Sequence, residues 1–339
     1  MADSFELDNT RLADYLQEKI PQFSGPLTSE KFAGGQSNPT YLLSTLESKY
    51  VLRRKPPGKL LPGAHAVDRE FKVLSALSKT EVPVANALHL CDDDSVIGSM
   101  FYIMQHVDGR VLWDPSLPEC TKQDRSEIYT EMNRVLAALH SVNIDAVGLS
   151  DFGKRGGYFE RQTHTWTKQY RASETQVIAA MNSLAEWLPA NMPADDGLVS
   201  IAHGDYRLDN MMFNNHSNTV IALLDWELST IGHPYADLAY QCMQYHMPHG
   251  QSMPGLHGCK LDELGIPSED EYVSMYCERM GVKQIENWNF YLAFSLFRLA
   301  AICQGIEKRR QIGTASSDKA ALYGALVGPL AEIAVNLTE

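Results

Sequence analysis

The segment that most constrains this chain is a polar loop followed by a short apolar run that ends in an acid. The loop has the sequence HGDYRLDN over residues 203–210, and the apolar run VIALL over residues 220–224 leads into Asp225. Asp205 and Asn210 stand five positions apart in the loop. Mg²⁺ prefers oxygen ligands, and a carboxylate can orient an attacking hydroxyl group. The segment therefore predicts a site for phosphoryl transfer, with Asp205 as base and with Asn210 and Asp225 as magnesium ligands.

Each of these residues also has a purely structural explanation. Asp205 could be a turn residue after Gly204, Asn210 could cap the loop, and Asp225 could form a turn at the end of the strand. The catalytic interpretation depends on all three occurring together at this spacing. His203 lies two positions before Asp205, and we expect its hydrogen bonds to hold the loop rather than to make it a base.

The chain is acidic, with 29 basic and 42 acidic residues and a net charge of −13. Because nucleic acids and anionic membranes are bound through basic patches, we expect neither kind of partner. The six dispersed cysteines and the absence of an apolar leader at the first residues predict a cytoplasmic protein with reduced thiols. The apolar run over residues 290–302 contains Arg298, which favours a core helix over a membrane span. No feature of the sequence indicates an oligomeric state.

The order of patterns along the 339 residues predicts an α+β architecture with two lobes. The first part is rich in strands, and a hinge follows at Val107-Asp108-Gly109. The rest is mostly helical, beginning with a capping-box-like start at Thr121 and Asp124. Further helices are predicted over 158–187, 235–247, 268–280, 287–309 and 316–337. We therefore predict a small β-rich lobe with an antiparallel sheet over residues 1–106 and a larger helical lobe over 107–339, with a ligand cleft between them.

Two segments of the larger lobe resemble a known family. The loop at 203–210 with LDWE at 224–227 resembles the aminoglycoside phosphotransferase and choline kinase branch of the protein-kinase-like fold, and so does GHPYADLA at 232–239. The resemblance extends over about residues 20–335. It implies an enzyme that uses ATP and Mg²⁺ to phosphorylate a small-molecule hydroxyl group. It also implies that Asp237 supports the catalytic loop, a role compatible with that of an acid in the first turn of a helix.

The same resemblance implies that the small lobe holds ATP. The residues implied to reach the phosphates are those of a glycine-containing turn, namely Gly34, Gly35, Ser37 and Asn38, although an ordinary hairpin would have the same sequence pattern. Adenine is expected at the hinge beside Gln105 and Val107, mostly through backbone groups.

The chain departs from the family's pattern at one position, where the resemblance predicts a lysine on the third strand. The sequence Val51-Leu52-Arg53 places an arginine there. Strand alternation predicts that Arg53, and not Arg54, shares the cleft face with Val51. Glu70 lies on the apolar face of a predicted helix over 66–78, where a carboxylate needs a partner. We predict that Arg53 pairs with Glu70 and binds phosphate; the alternative is an arginine exposed on a strand.

The acceptor and the class of activity have several interpretations. YVLRRKPPGKLLP at 50–62, together with the loop at 203–210, resembles the kinase-like domains fused to acyl-CoA dehydrogenases. This implies a hydroxyacyl metabolite or hydroxyacyl-CoA as acceptor. The rival interpretations are a nucleotide-binding pseudokinase or regulatory module, favoured by Arg53, and a protein kinase. The last is disfavoured by the helical segment at about 150–200, which looks like a wall for a small acceptor.

Two further groups of residues have open alternatives. A Pro- and Gly-rich segment carries His246, His249, His257 and Cys259, which could bind a metal or could form a loop over the acceptor cleft. Arg207 could steer a phosphate or an acidic substrate, or it could be a solvated loop residue.

Overall fold

A five-stranded antiparallel sheet forms the small lobe in the computed structural model, which describes residues 6–32, 38–56, 65–250, 253–314 and 319–339. The strands lie in the order β1-β2-β3-β5-β4. Their bounds are β1 Thr28–Lys31, β2 Thr40–Ser44, β3 Lys49–Arg54, β4 Ala87–Cys91 and β5 Phe101–Gln105. Helix α1 (Asn9–Lys19) precedes the sheet, and α2 (Val67–Leu77) is inserted between β3 and β4. The predicted antiparallel sheet is confirmed.

The two faces of this sheet belong to different hydrophobic cores. Leu52 and Ile103 face α1 and join Leu12 and Leu16 in a small cluster. Residues on the opposite face point toward α2, because side chains alternate along a strand. Tyr102 lies on that face, and it shares the large hydrophobic cluster of the helical lobe with α2. The boundary predicted at residue 106 remains a prediction, and the large core extends across it.

Helix α2 is also anchored to the helical lobe by polar contacts. The Arg69 guanidinium donates to the carbonyl of Phe152 at 2.7 Å and lies over the Phe152 ring, 4.2 Å from its centroid. Lys72 forms an ion pair with Asp151 at 2.6 Å. These contacts fix the helix that carries Glu70 against the lobe that carries the polar loop.

The larger lobe is built around one long buried helix. Its helices are α3 Lys122–His140, α4 Tyr158–Ser173, α5 Ala179–Ala190, α6 Pro234–Cys242, α7 Leu261–Leu264, α8 Glu269–Met280, α9 Trp288–Gln311, α10 Ala320–Ala325 and α11 Val327–Asn336. Helix α9 packs against α4, α5, α6, α10 and α11. Among the described residues, α9 is the helix long and apolar enough to cross a membrane, but 78% of its apolar window is buried inside the molecule. It is the central core helix that the sequence predicts.

Two of the predicted helices are interrupted. The segment predicted as one helix over 158–187 forms α4 and α5, separated by residues 174–178, where three of the five residues are β-branched and lose side-chain freedom in a helix. The segment predicted over 316–337 forms α10 and α11 in its described part. Pro329, near the start of α11, has no amide hydrogen with which to continue an incoming helix. The capping box at Thr121 and Asp124 is confirmed.

Two small sheets position the polar loop. Strand β7 (Ser200–Ala202) pairs with β10 (Thr230–Gly232), and β6 (Arg110–Val111), β8 (Met211–Phe213) and β9 (Val220–Leu223) form the other sheet. The loop leaves β7 and ends in a 3₁₀ turn that leads into β8. The amide of Leu224, just past β9, donates to the carbonyl of Asn210 at 2.8 Å. The strand that ends in an acid therefore lies directly beside the loop, as predicted.

Candidate active site

The side chains of Asp205 and Asn210 are in direct contact. The Asn210 amide nitrogen donates to the Asp205 carboxylate at 2.8 Å and to the Asp205 carbonyl at 2.9 Å. Because the nitrogen is used in this way, the oxygen of the Asn210 amide is the atom that can ligate a cation. The spacing thus brings a carboxylate and an amide oxygen side by side at one place.

Asp237, in the first turn of α6, anchors the loop at 203–210 through hydrogen bonds. Its carboxylate accepts from the backbone amides of His203 at 2.6 Å and of Gly204 at 2.8 Å. Burial raises the pKa of Asp237, but hydrogen bonds from His140 and the Gly204 amide outweigh this and leave the pKa below its ordinary value. Asp237 is therefore a buried carboxylate that stays charged while it holds the loop.

The His203 ring links the loop to the strand that precedes Asp225. Its Nε2 contacts the carbonyl of Leu224 at 2.8 Å, and its Nδ1 accepts from the amide of Asp205 at 3.3 Å. A carbonyl can only accept, so Nε2 carries a proton. Both nitrogens are engaged by backbone groups, which is the arrangement expected of a scaffold residue.

Gly204 cannot be replaced without moving the chain. Its φ is +85°, and a Cβ at this position would lie 2.7 Å from the carbonyl oxygen of Leu228. The left-handed conformation of Gly204 turns the chain just before Asp205. This turn lets the loop keep its hydrogen bonds to Asp237 while it stays packed against the residues after Asp225.

The substitution Asp237→Asn is expected to lower the free energy of unfolding by about 1.5–3 kcal/mol at neutral pH, because charged hydrogen bonds to two amides are lost. A carboxyl group with a depressed folded pKa stabilises the fold above its unfolded pKa, and this contribution disappears as the pH falls through the folded value. The difference between wild type and variant should therefore shrink below about pH 4. Urea titrations over a pH series measure it, with the exposed Asp92→Asn as control. A difference that is equal at pH 3 and pH 7 would contradict this expectation.

Arg53 connects the two lobes at the cleft. Its Nε lies 2.7 Å from the Glu70 carboxylate, and its Nη2 lies 2.9 Å from Asp225 and 3.5 Å from Glu227. Burial by itself lowers the pKa of Arg53, but the carboxylates together outweigh burial and leave the pKa above its ordinary value. The guanidinium therefore stays charged. Arg54 points to the opposite face and donates to Ser99 at 2.9 Å. The predicted Arg53–Glu70 pair and the strand alternation behind it are confirmed, and the contact to phosphate remains a prediction.

Asp225 is held in an unusual backbone conformation. Its φ is +59°, in the left-handed region that few residues other than glycine adopt. Its side chain is 38% exposed, so the carboxylate is accessible although one of its oxygens contacts Arg53. Strained residues of this kind are found at functional sites. The donors of Asp225 and Asn210 are hard oxygens on facing segments, which fits a Mg²⁺ ion that also binds phosphate oxygens.

The remaining residues predicted to bind the nucleotide have different outcomes. Gly34, Gly35 and Ser37 lie outside the described residues. The Asn38 side chain is buried, donates to Glu70 at 2.8 Å and contacts the His65 ring at 3.0 Å. In the described structure its side chain therefore supports Glu70, whereas a contact to phosphate was predicted.

Gln105 does not direct its side chain into the cleft. Its side chain accepts from Asn86 at 3.0 Å, and Gln105 is paired with Tyr50 on the sheet face opposite to Arg53. Strand alternation thus directs the side chain away from the cleft. Only the backbone near Gln105 and Val107 is left for an adenine contact, and that contact remains a prediction.

The cleft next to Asp205 has a volume of about 610 Å³ and is lined by both polar and apolar side chains. The polar lining includes Arg53, Asp205, Asn210 and Asp225. The apolar lining is formed by one face of α9 together with residues that the sequence did not single out, and we call it the apolar wall. This apolar wall comprises Trp113, Met253, Pro254, Leu299, Ile302, Cys303, Ile306 and Tyr323.

The apolar wall was missed for a physical reason. Leu299, Ile302, Cys303 and Ile306 have the spacing of one helical face, but α9 is apolar on all sides, so spacing alone cannot show which side meets a cleft. Trp113, which is 73% exposed just after the hinge, was the available signal.

Arg207 and the histidine segment have structural partners. Arg207 forms a two-bond contact with Asp209, at 2.8 and 2.5 Å, so neither residue is a solvated loop residue. His246 pairs with Glu269 at 2.7 Å. Within the part of the chain that the structure describes, no group of three or more His, Cys, Asp or Glu side chains is arranged to hold a metal. The alternative of a metal site at 246–259 therefore has no support from the described residues.

Comparison with known proteins agrees with this geometry. The model of the phosphotransferase enzyme family matches residues 28–257. The chain belongs to this family. Acyl-CoA dehydrogenase family member 10 of Mus musculus is 49% identical over 327 residues, which is 95% of this chain and 30% of that protein. The chain spans less than half the length of the curated relatives that it matches.

Solved structures of phosphotransferases share its fold. A candidate aminoglycoside phosphotransferase from Ralstonia eutropha JMP134 has a TM-score of 0.90 and 50% identity, with 98% of each chain covered. Aminoglycoside phosphotransferase APH(4)-Ia in complex with AMP-PNP and hygromycin B has a TM-score of 0.61 and 12% identity, over 97% of this chain and 98% of that one, and shows the fold alone. The predicted family and the two-lobed protein-kinase-like fold are confirmed.

Proposed function

We propose that this member of the phosphotransferase enzyme family transfers the γ-phosphate of ATP, in the presence of Mg²⁺, to a hydroxyl group of a small molecule. One observation carries the proposal: Asp205, Asn210, Asp225 and Arg53 line the same cleft. Positioning and charge stabilisation supply most of the catalysis in phosphoryl transfer, and these four side chains are suited to both.

Each residue has a role that follows from its contacts. Asp205, oriented by Asn210, accepts the hydroxyl proton while the substrate oxygen bonds to phosphorus and the bond to ADP breaks. Asn210 and Asp225 would hold Mg²⁺, which when bound neutralises charge on the phosphates. Arg53 is fixed by Glu70, and its guanidinium would donate hydrogen bonds to the phosphates.

The acceptor that best fits the cleft is a hydroxyacyl metabolite or a hydroxyacyl-CoA. The apolar wall beside Asp205 suits an alkyl chain better than a polycationic sugar, because burying apolar area is favourable at about 25 cal/mol per Å². The relatives named acyl-CoA dehydrogenase family members support the same class. Phosphorylation would convert a poor leaving group, hydroxide, into a good one.

Turnover of ATP is expected with hydroxyacyl-CoAs and hydroxy acids in a panel that also contains aminoglycosides and amino alcohols. Within a series of increasing chain length, kcat/KM should rise about two- to fourfold per methylene until the apolar wall is covered. The matched acyl chains without a hydroxyl group are the control and should give no turnover. Turnover of an aminoglycoside alone would overturn the acceptor class.

A pseudokinase or regulatory module is the second candidate, since Arg53 replaces the expected lysine. It predicts nucleotide binding without turnover of any member of the panel. A protein kinase would instead phosphorylate peptide substrates.

A further inference from the structure

Arg298 is a buried cation in the middle of the central helix α9. Its guanidinium lies between two aromatic rings, 5.4 Å from the centroid of Trp166 and 5.1 Å from that of Tyr240. Its Nη2 donates to the carbonyl oxygen of Gly204 at 2.5 Å. Among the residues that the structure describes, no carboxylate forms an ion pair with it. Burying a charge without an oppositely charged partner is costly, so the burial of Arg298 needs an explanation. Its contact with the loop at 203–210 is the natural one.

Gly204 lies between two buried charges of opposite sign. Its amide donates to the Asp237 carboxylate at 2.8 Å, and its carbonyl accepts from Arg298 at 2.5 Å. Hydrogen bonds to ionised groups are stronger than those between neutral groups. The anion and the cation thus compensate each other through one backbone residue, and the carbonyl that Arg298 holds belongs to the peptide bond that leads into Asp205.

Tyr240 provides a second connection between Arg298 and Asp205. Its ring lies against the Arg298 guanidinium, and it lines the cleft beside Asp205. Burial raises the pKa of the Tyr240 hydroxyl, and the nearby carboxylate of Asp205 raises it further. A shift of the guanidinium would therefore disturb both the peptide before Asp205 and a side chain that lines the cleft together with Asp205.

We propose that Arg298 is a positioning residue for Asp205, which it acts on through the Gly204 carbonyl and the Tyr240 ring. Its effect on turnover rests on the proposed function, whereas its effect on the loop does not. Arg298 does not line the cleft, so it holds the base in place without touching substrate.

The Arg298→Met variant tests this with two independent measurements. We expect kcat to fall by about 10- to 100-fold with the KM for ATP changed less than about twofold, because misplacing a reacting group costs rate more than binding. We also expect amide hydrogen exchange in the peptide spanning 203–206 to become at least about tenfold faster, since loss of a holding contact favours local opening. Arg298→Lys keeps the charge and should recover part of both effects; it also carries the test if the methionine variant does not fold.

Gln304→Met is the matched control. Gln304 is a buried polar residue on the same helix, but it donates to Ser173 and Thr175 and does not contact the loop. This variant should leave loop exchange and kcat unchanged. Asp237→Asn combined with Arg298→Met should accelerate exchange by less than the product of the single effects, because both residues act on Gly204.

Unchanged exchange at 203–206 in Arg298→Met would overturn the proposal, as would an equal acceleration in Gln304→Met. If the wild-type protein turns over no acceptor, the proposed function fails. The exchange measurement then still decides whether Arg298 holds the loop.

Discussion

Asp205→Asn is expected to lower kcat by about 10²–10⁴-fold while leaving the affinity for ATP nearly unchanged. The asparagine side chain has the same shape but cannot accept the hydroxyl proton as a carboxylate does. Asp205 also contacts Asn210 at 2.8 Å, so an isosteric change disturbs the metal-binding oxygen less than truncation to alanine would. Single-turnover kinetics measure the chemical step, and calorimetric titration with a non-hydrolysable ATP analogue measures binding.

Asp92→Asn serves as the control for this experiment. Asp92 is an exposed acid just after β4 and does not line the cleft. Its substitution should change neither quantity. Turnover by Asp205→Asn at the wild-type rate would remove Asp205 from its assigned role, and loss of nucleotide binding would show that the residue acts on the nucleotide instead.

Asp225→Ala is expected to weaken binding of the magnesium–nucleotide complex by at least about 10–100-fold. Asp225 is one of the two proposed protein ligands of Mg²⁺, and its removal leaves Asn210 as the other. Without Mg²⁺ the effect should reverse in sign, because removing a negative charge near the phosphates, and freeing Arg53 from its 2.9 Å contact, favours an anionic ligand. Calorimetric titration of AMP-PNP with and without Mg²⁺ measures both cases.

The reversal distinguishes a metal ligand from a structural residue. A structural collapse of the cleft would weaken binding under both conditions. Equal affinity of wild type and Asp225→Ala in the presence of Mg²⁺ would show that Asp225 is not the ligand.

Local rules predicted much of the site because it depends on local geometry. The spacing of Asp205 and Asn210 and the end of β9 before Asp225 follow from short segments. Strand alternation correctly separated Arg53 from Arg54. Applied to β5, the same rule would have directed the Gln105 side chain away from the cleft. This orientation agrees with the expectation that adenine is contacted mostly through backbone groups at the hinge, and the adenine contact stays a prediction.

Tertiary contacts decided what the sequence could not. An arginine inside the apolar α9 favoured a core helix over a membrane span, but its contact with Gly204 joins residues that are 94 positions apart. The face of α9 that lines the cleft is likewise set by where α10 and Trp113 pack. The break between α4 and α5 was visible only as a short β-branched segment within an otherwise helical pattern.

The anchoring of α2 to the large lobe has a consequence for control of the enzyme. In protein kinases, the position of the helix that carries the glutamate is adjusted to turn activity on and off. Here that helix is part of the large hydrophobic core and is fastened through Arg69 and Lys72. The Glu70–Arg53 pair is therefore already formed together with the packing of α2. Under the proposed function, we expect turnover to require no separate event that moves this helix into place.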